Sequence, residues 1–465
     1  MFLPISENLY SKALYILFSL SICLLPFSTG GGRGNHSESN VITFAFPFLI
    51  VLSTAIFFIF ISNRKSLCFP HEIKFTIFCA ILHTFSIFIS SLLNDSLIVA
   101  FSRSIFHFIG FSIFLYIVSN LNTRKNAALV YNEVSLLTIG SGCLMSAYFI
   151  INFALALQDN PLDVVLLERE NGGFMSLPWG ATNTIAACLM MPLFLAVERF
   201  ISLKPIKKVD LMTKKIGLAP TRIGFAKQID FAPKQANRKI VLAAIAIIVL
   251  AILITQSRNA ILCATLGLIA IGILTKNTKF TFAFITVTTI AIGVASMFYT
   301  QDLDAVFAAR VGDQAQDVEG FNGRTFLWGT SVVYFLEHAL QPVGYFGMLA
   351  KLGHTAHNIF LTTVIEQGIL GLGAYLLFLG NNFLFCLKKL SYKYFSFTTK
   401  RTMIIYLIAM LTIIMQLQFE DANLTAQNII YQWLFLALMY LSTYRDVSAP
   451  VILPVQDLNL RTFLK

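Results

Sequence analysis

The sequence predicts an all-α polytopic membrane protein with about twelve transmembrane helices. The first observation behind this is composition: 57% of the 465 residues are hydrophobic and 12% are charged, against about a quarter charged in ordinary soluble domains. The second is run length. The apolar stretches are continuous over about 20 residues, the length a helix needs to cross hydrocarbon, whereas a transmembrane β-barrel alternates over about 10. The third is that backbone polar groups in lipid must be satisfied within the spanning element, which leaves a helix bundle.

Candidate spans begin near Ser11, Val41, Lys74, Leu97, Glu133, Gly180, Ile240, Ile261, Phe280, Asn358, Thr402 and Asn428. The first apolar run, Ala13 to Phe27, has the length of a signal peptide. Only Lys12 precedes it closely and many spans come after it, so it is read as an uncleaved first helix. The connections on one side carry Arg64, Lys65, Arg124, Lys125, Lys276, Lys279, Lys388, Lys389, Lys393, Lys400 and Arg401. The same side holds the segment Ser202 to Lys239, with ten Lys or Arg. The positive-inside rule makes that side, and both termini, cytoplasmic. It also accounts for the net charge of +11 without nucleic acid. The seven cysteines show no CxxC or zinc spacing, so neither a disulfide framework nor a zinc site is expected.

The opposite side carries residues 30–40, 158–179, 257–260, 300–357 and 419–427, rich in Asp, Glu, Asn and Gly. The chain thus divides into four segments: helices 1–6 and the basic loop (1–239), helices 7–9 (240–299), a helical outer loop (300–357), and helices 10–12 with a tail (358–465). The outer loop reads as two short helices. In the first, Trp328, Val332, Phe335 and Leu336 are spaced as an apolar stripe, suited to a membrane surface or a cavity cap, and equally to plain packing.

Chemistry on the outer side centres on two residues. Arg258, in "SRNAIL", sits at the exit of the seventh span, and His357 at the outer end of the tenth. An imidazole can take a proton from a hydroxyl at neutral pH, and a guanidinium grips phosphate oxygens bidentately. A lone His or Arg at a helix end is also an ordinary interfacial anchor. If the tenth span is one continuous helix, Leu361, Val364, Gly368 and Gly371 lie on the His357 face, where the glycines admit another helix or a lipid tail. Glu366 then points roughly opposite, about 13 Å down the axis, and is read as a structural partner before a catalyst. Arg103 and His107 form an i, i+4 pair inside the fourth span, and Arg169 lies between Glu168 and Glu170 in the second outer loop.

His357-Asn358, nine residues, Gly368, two residues, Gly371 gives H-N-x9-G-x-x-G; Arg258 with Leu262 gives R-x3-L. Both resemble signatures of the O-antigen ligase and polymerase family of bacterial envelope glycosyltransferases. "NGRTFLW" (Asn322–Trp328) before "PVGYFG" (Pro342–Gly347), and His354 and Glu366 around the histidine motif, are similar too. The resemblance covers about Ile240 to Leu379. It implies a bundle of the GT-C type in the bacterial inner membrane and an inverting, metal-independent transferase working at the periplasmic face without a cofactor. The implied donor is an undecaprenyl-pyrophosphate-linked glycan; the implied acceptor is lipid A–core for a ligase or a growing glycan for a polymerase. By the same resemblance Arg258 holds the pyrophosphate and His357 is the base or the acceptor-positioning group. Arg324, Arg103, Arg169, His354 and Asn358 are the candidate substrate contacts, and no residue is expected to hold a metal. A transporter is the remaining alternative; it calls for ionisable residues at midplane, broken helices and a repeated half.

Overall fold

The computed structural model describes residues 9–27, 53–54, 69, 71–119, 124–161, 165, 182–202, 238–277, 280–282, 284–286, 324–345, 347–353, 355–392, 395–419 and 425–444. The principal helices are α1 (Leu9–Leu24), α2 (His71–Leu92), α3 (Leu97–Val118), α4 (Arg124–Asp159), α5 (Thr182–Ser202), α6 (Arg238–Ile254), α7 (Arg258–Leu274), α8 (Arg324–His338), α9 (Gly347–Leu352), α10 (Ile359–Ser391), α11 (Phe397–Gln416) and α12 (Ala426–Tyr444). No strand occurs among the described residues. Ten of the twelve expected span starts fall on or beside these helices. The span expected near Val41 lies outside the described residues, as does most of the one near Phe280. By length and composition five of the described helices can cross a membrane: those within α2, α4, α5, α10 and α11. The chain is an all-α membrane protein.

The bundle buries a large apolar core together with scattered polar side chains and also presents apolar residues on its outside. Phe75, Phe78 and Phe85 on α2 and Leu262, Leu266 and Ile273 on α7 point outward and are exposed, as lipid-facing residues must be. Helix α5 is almost wholly buried, 89% of its span, and packs on α4, α6 and α11, while α12 packs on α3, α4 and α5. Side-chain hydrogen bonds tie these helices where no water can serve. Tyr440 Oη donates to Asn382 Oδ1 (2.8 Å) and pairs with Thr76 Oγ1 (2.8 Å), and Ser141 pairs with Tyr431 (2.8 Å).

Glu198 and Arg199 near the end of α5 are buried charges that the sequence reading did not single out. Glu198 accepts from Tyr131 (2.6 Å), Ser202 (2.7 Å) and Thr402 (2.9 Å). Arg199 donates to Ser135 Oγ (2.9 Å) and to the Asn132 carbonyl (3.0 Å) and lies over the Tyr131 ring. A buried ionisable pair in a membrane invites a functional reading. Here the carboxylate accepts three hydrogen bonds and the guanidinium meets both side chain and backbone, which makes the pair a clamp joining α4, α5 and α11.

The tenth span departs from expectation. Helix α10 breaks at Gly368, whose φ of 73° and ψ of −178° are not helical, so Gly368 and Gly371 do not continue a face begun at His357. The conformation is one essentially reserved for glycine. The break frees the Ile365 carbonyl, which instead accepts the Val343 backbone N–H at 3.0 Å. Broken helices persist at membrane depth only where protein satisfies the freed groups, and here the loop between α8 and α9 does so. Gly371, one turn on, lies against its own Gln367 side chain: a Cβ there would come within 2.2 Å of Gln367 Cβ.

Helix α8 forms as expected but with a shifted inner face. Ser331 is buried and Trp328, Tyr334 and Phe335 are half-buried, whereas Val332 and Leu336 are exposed. The inner face is set by Trp328, because its Nε1 donates to the Ala356 carbonyl (2.8 Å). That rotates the predicted stripe partly outward.

Candidate active site

The candidate residues converge through the C-terminal end of α11. A helix ends with carbonyls that have no intrahelical partner, and here neighbouring segments take them up. Asn259 Nδ2 donates to the Gln416 carbonyl (2.9 Å), the Ile359 N–H to the Leu417 carbonyl (2.9 Å), and Arg324 Nη2 to the Phe419 carbonyl (3.0 Å). Asn358 Nδ2 donates to the Gln418 side chain (3.1 Å). Four successive residues, Gln416 to Phe419, thus bind the segments that bear Arg258, His357 and Arg324. The sequence reading missed this hub. Its available signal was the pair of glutamines closing an apolar run.

Arg258 opens α7, directly after the N-cap Ser257, and is exposed. The neighbouring residues do the packing: Ala260 is fully buried, and Gly267, two turns on, lies where a Cβ would come within 2.7 Å of Thr412 Oγ1 on α11. Arg258 is therefore presented at the bundle end by an anchored helix. The helix N-terminus adds positive potential there.

His357 has φ 45°, in the left-handed region, where histidine is tolerated more readily than most non-glycine residues. Its neighbour Asn358 holds it there. Asn358 is the N-cap of α10 and its Oδ1 accepts from the Phe360 N–H (3.0 Å) and the Leu361 N–H (3.1 Å). With the Gln418 bond, this side chain is largely committed to fixing the chain. Asn358→Ala should cost about 1 kcal/mol, the typical worth of an N-cap, and Asn358→Asp, which keeps the two cap bonds, should cost less. Thermal unfolding of the two purified variants checks the order.

Arg324, the first residue of α8, is half-buried, with its guanidinium 5.9 Å from the centre of the Phe419 ring. Arg103 lies within α3, but its side chain, like Arg169, His354, Glu420 and Asp421, is outside the described residues. Glu366 is 1% exposed and accepts the Met348 N–H of α9 at 3.4 Å, so it braces the half-helix against the loop. Beneath that half-helix lies a cavity of about 30 Å³ lined by His83, His107, Tyr345, Thr362, Glu366 and Gln432, among others. His83 is a second deep histidine that the sequence reading passed over. Among the described residues no three His, Cys, Asp or Glu side chains gather to hold a metal ion.

These features define a multi-pass helical membrane protein with two arginines and a histidine gathered at one bundle end. Residues 243–376 match the O-antigen ligase family model. That match supports assignment to the O-antigen ligase/polymerase family, a glycosyltransferase-like family. The matched stretch contains Arg258, Arg324, His357 and the Gly368 break; α11 and α12 lie outside it. No curated protein matches the chain.

Proposed function

We propose that the protein is an O-antigen ligase-like enzyme. In this reading it moves a finished polysaccharide from undecaprenyl pyrophosphate to lipid A–core at the periplasmic face of the inner membrane, on a GT-C-type bundle with both termini cytoplasmic. The convergence of the Arg258, His357 and Arg324 segments on Gln416–Phe419 carries the reading. His357 takes the proton of the acceptor hydroxyl as its oxygen attacks the anomeric carbon. The bond from that carbon to the pyrophosphate oxygen breaks with inversion. Arg258, together with Arg324, holds the departing charge on the lipid pyrophosphate, and no metal enters the step. Asn358 keeps His357 in place, His354 joins them through the histidine motif, and Arg103 and Arg169 are further candidate substrate contacts outside the matched stretch.

Polymerisation of lipid-linked repeat units uses the same chemistry and is the second reading, because the family match covers both activities. Two features the transporter reading calls for, a broken helix and buried ionisable residues, are present. The carbonyl freed at the break, however, is bonded to the loop rather than open to a cargo ion. The deciding experiment is a surface-glycan gel with matching lipid-linked intermediates, from a strain lacking this chain. Loss of the ladder with long polymer left on undecaprenyl pyrophosphate is the result expected. Loss with a single repeat still on the core would make the protein a polymerase, and an unchanged pattern would remove this glycan as substrate.

A further inference from the structure

The half-helix Ile359–Gln367 begins beside His357 and ends at a break, so its position is set by what holds its two ends. The α11 terminus holds the first. The second rests on the Val343–Ile365 backbone bond (3.0 Å), and hence on the turn Pro342–Tyr345. That turn is fastened to the bundle at three points. Asn94 Nδ2 donates to the Pro342 carbonyl (2.6 Å), the Tyr345 N–H donates to Ser91 Oγ (3.1 Å), and the Tyr345 hydroxyl pairs with His107 Nε2 (3.0 Å). The last reaches deepest. Tyr345 is 4% exposed and His107 8%, their rings are edge to face at 5.3 Å, and Ile87 packs on Tyr345.

We infer that Tyr345 and His107 are positioning residues: their hydrogen bond latches the α8–α9 loop into the bundle and so fixes the half-helix that presents His357. Burial holds the Tyr345 phenol well above its ordinary pKa, so it stays protonated, and the tautomer of His107 sets which of the two donates. His83 backs the latch, its ring edge-on to His107 at 5.6 Å and stacked on Phe378 at 5.6 Å. The Nδ1 atoms of His83 and His107 are buried without a hydrogen-bond partner among the described residues, and the cavity of about 30 Å³ that both line has room for about one or two waters to serve them. Ser86 Oγ, one turn along α2 from His83, donates to Gln367 Oε1 (3.2 Å) and ties the break to the same helix. Arg324 is coupled to the latch as well, because α8 leads directly into the turn.

The inference rests on the proposed transfer reaction, and its test has one arm that does not. Tyr345→Phe keeps the ring and removes only the hydroxyl. In the full chain in nanodiscs, with an undecaprenyl-pyrophosphate glycan as donor, it should lower kcat about tenfold, the scale of a small misplacement of a reacting group, and leave the donor KM unchanged. Amide exchange over 359–367 should rise in the same variant. Tyr345→Phe combined with His107→Leu should be no worse than Tyr345→Phe alone, since both remove one bond and the double change leaves no buried group unpaired. Unchanged kcat, unchanged exchange, or losses that multiply in the double variant would each overturn the latch. If Arg258→Ala retains full turnover, the transfer reading fails instead, and the exchange arm still decides whether the latch fixes the half-helix.

Discussion

Arg258→Ala and His357→Ala are each expected to abolish glycan transfer, by at least about a hundredfold, while the protein still accumulates in the membrane. The size comes from the roles: a positioned base contributes about 10²–10⁴ and a donor aimed at developing charge about 10²–10³. The retention of fold comes from the packing. Arg258 is exposed, and its helix is anchored by Asn259, Ala260 and Gly267. Arg258→Lys should rescue poorly, because an ammonium keeps the charge and loses the bidentate fork. At His357 a second variant separates chemistry from backbone strain. Alanine must adopt φ 45°, a region it resists, whereas asparagine accepts it but cannot act as a base near neutral pH. His357→Asn should therefore insert normally and be inactive. Transfer measured alongside the membrane-fraction level decides the matter, and full activity in Arg258→Ala or His357→Asn would dismiss the assigned roles.

Gly368→Ala is expected to destabilise the protein by about 1–3 kcal/mol. A side chain in this glycine-only region costs about 1–3 kcal/mol. If the chain relaxes toward helix instead, Val343 loses the Ile365 carbonyl, a bond worth about 0.5–1.5 kcal/mol. The added methyl has room, with its nearest contacts at 3.6 Å on Ala339 and Pro342, so the penalty is conformational and not steric crowding. Gly371→Ala should cost at least as much, because a Cβ there would come within 2.2 Å of Gln367 Cβ, which the backbone fixes, so the helix itself must shift. The readout is thermal unfolding in detergent. A Gly368→Ala melting curve superposable on wild type would mean that the break is imposed by the loop and not by the glycine.

The positions of the helices were largely legible because an uninterrupted apolar run of this length has one way to satisfy its backbone in lipid. Composition and run length therefore placed α2, α5, α7 and α12 within a few residues. The break at Gly368 was not legible. Glycine is common inside transmembrane helices, and nothing local separates a tolerated glycine from one at φ 73°. The difference lies in Val343, more than twenty positions earlier, which offers the N–H that stabilises the break. The face of α8 was misplaced for a similar reason: apolar spacing cannot tell a residue facing lipid from one facing protein, and Trp328 settles it through the Ala356 carbonyl.

For the site, motif spacing singled out Arg258, His357 and Arg324, since side-chain chemistry and its position near a span end are properties of the chain alone. That the segments bearing these residues meet was decided by tertiary structure. The terminal carbonyls of α11 needed donors, and the segments carrying the three candidates supplied them. The sequence by itself thus determined the solvent this protein lives in, most of its helices and the family it resembles. Only the packed bundle decided which helix is broken, which buried charges are clamps, and which ends meet, because each depends on hydrogen-bond partners far apart in the chain.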